Sequence, residues 1–257
     1  AKAVDLSVGS FGYQKQDAYL GFQVDQTRGS VSLMNAKVDG YRQFSEVDQR
    51  AAQVRLANSS ELGRVSFFVR GFEENANLPS YLTKAQFEVD PKRIGAYPVS
   101  TERSGVATGL KYERALEGDD LVSIDAFHQE LKDKTYDTIR NTKTSINPEY
   151  KTTWRGNQWV VGGEFSEAQA NTDTKKQVGQ QTQSVFVQAF HPLTKKTTLD
   201  AGVRTQRADS NFQTASGAPT TSAMAHKTGA SVGALIQLTD MSSLRAGALT
   251  GFRFPNA

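Results

Sequence analysis

The sequence predicts an all-β protein, and within that class an antiparallel up-and-down transmembrane β-barrel. Three observations carry this prediction. Apolar and polar residues alternate over segments of about ten residues, which is the periodicity of a strand with one apolar face. Helical spacing never exceeds this alternation in a comparable window. The connections between the segments also alternate, between short and long, in an order that up-and-down membrane barrels share.

The alternation occurs in 13 segments, each with one apolar and one mixed face. In chain order, the apolar positions that define them are Val4, Leu6, Val8; Leu20, Phe22, Val24; Val31, Leu33; Ala52, Val54, Leu56; Val65, Phe67, Val69; Val106, Leu110, Tyr112; Val122, Ile124, Ala126; Tyr150, Thr152, Trp154; Trp159, Val161, Phe165; Val185, Val187, Ala189; Leu199, Ala201, Val203; Val232, Ala234, Ile236; and Leu244, Ala246, Ala248. We therefore expect about 13 strands.

The connections form two groups by length. After a short first connection, the compact ones are 25–29, 58–63, 116–120, 155–158, 191–196 and 238–242, and the longer ones are 37–48, 73–104, 132–147, 167–181 and 208–227. Soluble β-sandwiches rarely sort their loops in this way. A membrane barrel does, because its periplasmic turns are short and its extracellular loops are long.

The faces opposite the apolar positions are polar. Asp125 lies between Ile124 and Ala126, and Asp200 lies between Leu199 and Ala201. Periodicity alone fits a soluble barrel with an apolar interior as well as a membrane barrel with an apolar exterior. Aromatic residues next to the short turns, where an interfacial girdle belongs, favour the membrane barrel: Tyr112, Trp154 and Trp159. Packing of these rings at a soluble rim is the alternative.

Composition excludes several classes of function. No run of 18 apolar residues could form a membrane-spanning helix, and the absence of cysteine excludes disulfides and thiolate sites. A net charge of +3 is too small to indicate nucleic-acid binding. The three histidines share no ligand spacing, and no nucleophile-elbow, zinc-protease or nucleotide-binding motif occurs. We therefore expect no enzymatic activity, no metal site and no cofactor.

A short helix is predicted inside the connection over 73–104. Thr83 followed three residues later by Gln86 has the pattern of a capping box, and Pro91 would end the helix. Such a helix would present Tyr81, Leu82 and Phe87 as a lid element. Ordinary loop packing is the alternative.

Three stretches resemble the TonB-dependent outer-membrane transporters. The tail "SLRAGALTGFRFPNA" is similar to a mid-barrel strand of that family that leads into a G-F-R-x-P-(N/S) segment, although Phe254 replaces a residue that is usually small. "KVDGYRQFSEVDQRAAQVRLA" resembles the family's second long loop. "LPSYLTKAQFEVDPKRIGAYPVSTERSGVATGLKYERAL" resembles its third loop, as in the ferric-citrate-like and pyrroloquinoline-quinone-like members.

This resemblance implies the first 13 strands of a barrel of 22 in the bacterial outer membrane, forming one domain over residues 1–257, without the family's plug domain, TonB box and last nine strands. It implies uptake of a ferric siderophore or similar iron chelate, driven by the TonB–ExbB–ExbD complex, in contact with outer-membrane lipid and lipopolysaccharide. One alternative is a relative that imports pyrroloquinoline quinone, cobalamin or haem. Another is a stand-alone passive pore or a soluble β-rich binding module.

Ligand contacts are expected from cationic and aromatic residues at the long loops and the nearby strand ends, because arginine binds carboxylates in a bidentate manner. These candidates are Tyr41, Arg42, Tyr81, Lys92, Arg93, Arg103, Lys134, Arg140, Arg204 and Arg253. The alternative for the cations is contact with lipid phosphates or pairing with carboxylates across the lumen.

Overall fold

The computed structural model describes residues 1–174, 176–214 and 218–250. Thirteen strands and one short helix make up this part of the chain. The strands are β1 Lys2–Val8, β2 Gln14–Val24, β3 Thr27–Val38, β4 Val47–Ser60, β5 Gly63–Leu78, β6 Val99–Ala115, β7 Leu121–Lys134, β8 Thr138–Trp154, β9 Asn157–Thr172, β10 Gln177–Thr194, β11 Thr197–Gln213, β12 Thr221–Thr239 and β13 Ser242–Leu249, with helix α1 at Lys84–Val89 between β5 and β6. Every predicted strand is confirmed.

The strands form one antiparallel sheet in which each strand pairs with its neighbour in sequence, from β1 through to β13. This is the up-and-down order that the sequence predicts. Short turns can join antiparallel neighbours, whereas parallel strands need a longer crossover connection. The turn between β8 and β9, for example, consists of Arg155 and Gly156, both with positive φ (52° and 74°), and this conformation matches the twist of a two-residue hairpin.

The two faces of the sheet differ in chemistry. Residues directly opposite each other share a face, and the positions that the sequence analysis took as apolar all lie together on one, which we call the apolar face. The other face carries most of the charges of the strands and is called the polar face. Among the described residues, only Val160 and Ala208 are buried apolar side chains, because a single sheet leaves both faces open.

The strands are tilted relative to the apolar band. One row of opposed residues passes through Leu20, Val31 and Val54 at the first strands, and the same row reaches Glu167 on β9 and Gln181 on β10. The apolar residues of β10 lie several positions closer to the short turns. The strands of a barrel are tilted relative to its axis. An apolar band around the barrel therefore crosses the rows of paired residues obliquely, as it does here.

The strands continue through most of three segments that the sequence analysis assigned to long loops. β7 ends at Lys134 and β8 begins at Thr138, so only three residues of 132–147 connect them. The segments 167–181 and 208–227 likewise lie mostly in strands. Polar residues occur on both faces there with only scattered apolar ones, so the alternation of hydropathy fades although the backbone ladder continues. The longest connections made entirely of described residues are 39–46 and 79–98.

The length of the strands agrees with this extension. β10 has 18 residues and β12 has 19, whereas about 9–11 tilted residues cross a bilayer. The surplus lies at the end opposite the short turns. No helix among the described residues is both long enough and apolar enough to cross a membrane.

Candidate ligand-binding surface

Helix α1 lies in the longest connection, over 79–98, and begins with the predicted capping box. The backbone N–H of Gln86 donates to the Thr83 hydroxyl (3.3 Å), and the Thr83 N–H donates to the Gln86 side-chain oxygen (3.0 Å). These two bonds satisfy donors that a helix N-terminus otherwise leaves unpaired. The predicted helix is therefore confirmed, and it ends at Val89, before Pro91.

Arg42 ties this connection to the one over 39–46. Its guanidinium donates to the backbone oxygens of Ser80 (2.6 Å) and Arg93 (2.9 Å). The N–H of Gln43 also donates to the backbone oxygen of Lys92 (2.7 Å). The contacts of Arg42 therefore hold the two connections together. Arg93 takes part in this contact only through its backbone oxygen.

Exposed aromatic residues surround this contact. Tyr81 and Tyr97 are each 67% exposed, with ring centroids 6.4 Å apart. The Lys92 ammonium lies 5.4 Å from the Tyr41 ring centroid, which is within cation–π range. The structure thus brings together four of the expected ligand contacts, Tyr41, Arg42, Lys92 and Arg93. It also places Tyr81 beside Tyr97, which the sequence analysis did not single out.

Four of the other predicted contacts lie on strands and are ion-paired. Arg103 pairs with Asp133 (3.0 Å) and Glu74 (3.8 Å), and Arg204 pairs with Glu164 (2.5 Å). These two arginines are on the polar face.

Lys134 and Arg140 were expected in a loop but lie at the ends of β7 and β8, on the same face as the apolar band and beyond it. Lys134 pairs with Glu102 (3.1 Å), and Arg140 pairs with Asp173 (3.3 Å). These two side chains thus lie on the opposite face of the sheet from Arg103 and Arg204. Arg253 lies outside the described residues.

A group of four arginines was missed by the sequence analysis. They are Arg28, Arg55, Arg64 and Arg70, which line a cavity of about 750 Å³ on the polar face of β3, β4 and β5. None of them has a carboxylate at ion-pair distance among the described residues, although Glu113 on β6 lies directly opposite Arg64. Their grouping depends on strand register, so no local sequence signal indicates it.

The predicted interfacial aromatics occupy one end of the sheet. The Tyr112 hydroxyl donates to the backbone oxygen of Leu62 in a short turn (2.6 Å). Trp154 and Trp159 flank the turn at 155–156 with ring centroids 6.4 Å apart, and the Arg155 guanidinium lies 4.6 Å from the Trp154 ring. All three lie on the apolar face beside short turns, and their depth in a membrane stays a prediction.

This surface presents cationic and aromatic side chains. No group of three or more His, Asp or Glu side chains within the described ranges could hold a metal ion.

A model of the family described as TonB dependent receptor-like, beta-barrel, matches residues 4–257. No curated protein sequence matches the chain.

Among solved structures, the unliganded ferric citrate transporter FecA is similar at a TM-score of 0.81 and 12% identity, over 96% of this chain and 43% of FecA. The copper transporter OprC has a TM-score of 0.80 at 12% identity, over 98% of this chain and 44% of OprC. The ferric yersiniabactin uptake receptor FyuA from Yersinia pestis has a TM-score of 0.76 at 14% identity, over 93% and 44%. The chain thus spans less than half the length of these structures, and identities this low show the fold alone.

Proposed function

This chain belongs to the TonB-dependent receptor family, and from that premise we propose that it forms the first 13 strands of an outer-membrane receptor that takes up a ferric siderophore or similar iron chelate. The family is one of transport receptors, whose barrels lie in the outer membrane of Gram-negative bacteria. Family membership sets aside the soluble binding module. The intact receptor would add a plug domain and the remaining strands, and would be energised by the TonB–ExbB–ExbD complex.

The observation that carries the proposal is the tethered pair of connections at the extracellular end. Arg42 bonds the connection over 79–98 through two backbone oxygens, and the joined surface exposes Tyr41, Tyr81, Tyr97 and Lys92. Aromatic rings beside a cation suit an anionic chelate that has a flat ligand shell. Fixed connections also lose less conformational entropy on binding than mobile ones would.

Iron uptake tests the proposal. A strain that lacks the intact receptor would be complemented with it, and uptake of radioactive iron measured with a panel of citrate, catecholate and hydroxamate chelates. At least one chelate should be taken up above the level of the deletion strain, and uptake should stop when the proton-motive force is collapsed. Receptor-dependent uptake of haem, cobalamin or pyrroloquinoline quinone, without uptake of any iron chelate, would support the non-iron alternative instead.

Two lysines of the same connection provide matched variants. Lys92→Gln removes the cation that lies over the Tyr41 ring and should weaken chelate binding by about three- to tenfold. Lys84→Gln removes a cation on α1 whose side chain is 90% exposed and pairs only with Glu88, and should leave binding unchanged. Equal effects of the two variants would contradict a role for this surface.

A further inference from the structure

We propose that a groove beside the short turn between β6 and β7 binds the headgroup of a zwitterionic phospholipid, of the phosphoethanolamine type, in the periplasmic leaflet of the membrane. This turn groove has a volume of about 470 Å³ and is lined by Arg114, Ala115, Leu116, Glu117 and Asp120. The inference rests on the outer-membrane placement in the proposed function and is independent of the ligand that is taken up.

The turn groove is on the apolar face of the sheet, away from the lumen. Arg114 of β6 is directly opposite Val122 of β7, and Val122 is opposite Tyr150 of β8, so these three side chains share that face. The Asp120 carboxylate accepts a hydrogen bond from the Tyr150 hydroxyl (2.5 Å), which brings it to the same face. Strands β5 and β8 flank the β6–β7 pair, so this chain itself forms the surroundings of the groove on the apolar face.

The turn groove presents one cation and two carboxylates that do not pair with one another. The side chains of Arg114 and Glu117 are exposed and have no hydrogen-bond or ion-pair partner among the described residues. Hydrogen bonds from the Thr152 and Tyr150 side chains lower the pKa of Asp120, so this carboxylate is negatively charged at neutral pH. The groove therefore offers an unpaired guanidinium to a phosphate and carboxylates to an ammonium group.

The spacing of these opposite charges suits the two ends of one zwitterionic headgroup. Asp120 comes two positions before Val122, the residue opposite Arg114, and is therefore the diagonal neighbour of Arg114. Its backbone oxygen accepts a hydrogen bond from the Leu116 N–H (2.9 Å), which keeps Asp120 in line with the ladder. Diagonal neighbours in an antiparallel pair are about 7–8 Å apart. A phosphate and an ammonium group of the same headgroup can thus contact both side chains, whereas an anionic headgroup would face two carboxylates.

Aromatic residues at this end of the apolar face indicate the depth of the turn groove. Tyr112 is two residues before Arg114 on the same face of β6, and Trp154 and Trp159 are beside the next short turn. Amphipathic rings of this kind occupy the headgroup level of a membrane. Arg114 therefore has its charged end at the level of the lipid phosphates, while its aliphatic stem lies along apolar surface.

Binding of three phospholipids with identical acyl chains tests the inference. The intact receptor in a non-ionic detergent would be titrated with phosphatidylethanolamine, phosphatidylcholine or phosphatidylglycerol, and the bound lipids counted by native mass spectrometry. Phosphatidylethanolamine should bind about three- to tenfold more tightly than either of the others. The reason is that the choline group has no N–H donor for the carboxylates, and the glycerol headgroup has no positive charge.

Two neighbouring aspartates provide matched variants. Asp120→Asn keeps an acceptor for the Tyr150 hydroxyl but removes the charge, so it should abolish the preference for phosphatidylethanolamine over phosphatidylglycerol. Asp119→Asn makes the same change in the same turn, outside the lining of the groove, and should retain the preference. Arg114→Gln should weaken binding of phosphatidylethanolamine by about three- to tenfold, and Arg114→Lys should restore most of it, because the positive charge returns.

Three results would overturn the inference: equal affinity of the wild-type receptor for the three lipids, a preference for phosphatidylglycerol, or equal effects of the two aspartate variants. Equal strand content by circular dichroism in all variants establishes that folded receptors are compared. Loss of iron uptake for every chelate is a separate result that refutes the proposed function, and the lipid preference of the same receptor remains measurable in that case.

Discussion

Two parts of the polar face each contain a row of the same three residue types, and the positions beside these rows differ. On β4, β5 and β6, Arg55, Phe68 and Gly109 are opposite one another in a row. On β11, β10 and β9, Arg204, Phe186 and Gly162 form the same row in reverse strand order. In both rows the phenylalanine ring lies across the glycine, where a Cβ atom would overlap it.

The difference lies two residues along the strand that carries the glycine. On β9 this position is Glu164, which accepts a bond from Arg204 (2.5 Å). The equivalent position on β6 is Ala107. Arg204 therefore has a carboxylate partner two strands away, whereas Arg55 is bonded to the neutral side chain of Gln53. The number of cations in a region does not indicate whether an arginine there is paired with a carboxylate.

The largest expected effect comes from filling the space that the phenylalanine occupies. Gly109→Ala should displace the Phe68 ring and lower the unfolding free energy by about 1–3 kcal/mol, as overpacking does. The change in the free energy of unfolding is measured from tryptophan fluorescence during urea unfolding of the intact receptor in micelles. Gly71→Ala is the control, because its nearest contacts are at 3.8 and 4.0 Å. Equal free energies of unfolding in the two variants would show that the contact between Phe68 and Gly109 does not limit the side chain at position 109.

Arg42 differs from both Arg55 and Arg204, because its guanidinium is bonded to backbone oxygens. Arg42→Ala should raise hydrogen exchange throughout 79–98, because two bonds that tether the connection are lost, by about 1–2 kcal/mol in the local opening free energy. Lys84→Ala is the control in the same segment. Unchanged protection in Arg42→Ala would show that the connection is held by other contacts.

The smallest expected effect concerns the neutralised arginine. A double-mutant cycle of Glu164→Gln and Arg204→Gln should give a coupling energy of about 0.2–1 kcal/mol, since both side chains are partly exposed (32% and 42%) and water screens the pair. The cycle Ala107→Glu with Arg70→Gln should give a coupling of the same sign. A coupling near zero in both cycles would mean that the carboxylate does not distinguish the two regions.

Sequence reasoning was most successful where the signal is local. Alternation of hydropathy located all 13 strands, and the Thr83–Gln86 spacing located α1. It was wrong about the ends of β7 and β8, because the alternation of hydropathy fades around Lys134 and Arg140. It missed the group of Arg28, Arg55, Arg64 and Arg70 for a different reason, since those side chains meet only through pairing between strands.

The sequence by itself determined the strands, the face that each side chain occupies and the helix start, because these depend on neighbours within a few residues. The tertiary structure alone decided which charges meet. Arg204 and Glu164 are 40 residues apart, and Arg42 reaches oxygens 38 and 51 residues away. Such contacts depend on the register and tilt of several strands, which the backbone hydrogen bonds of the whole sheet set together.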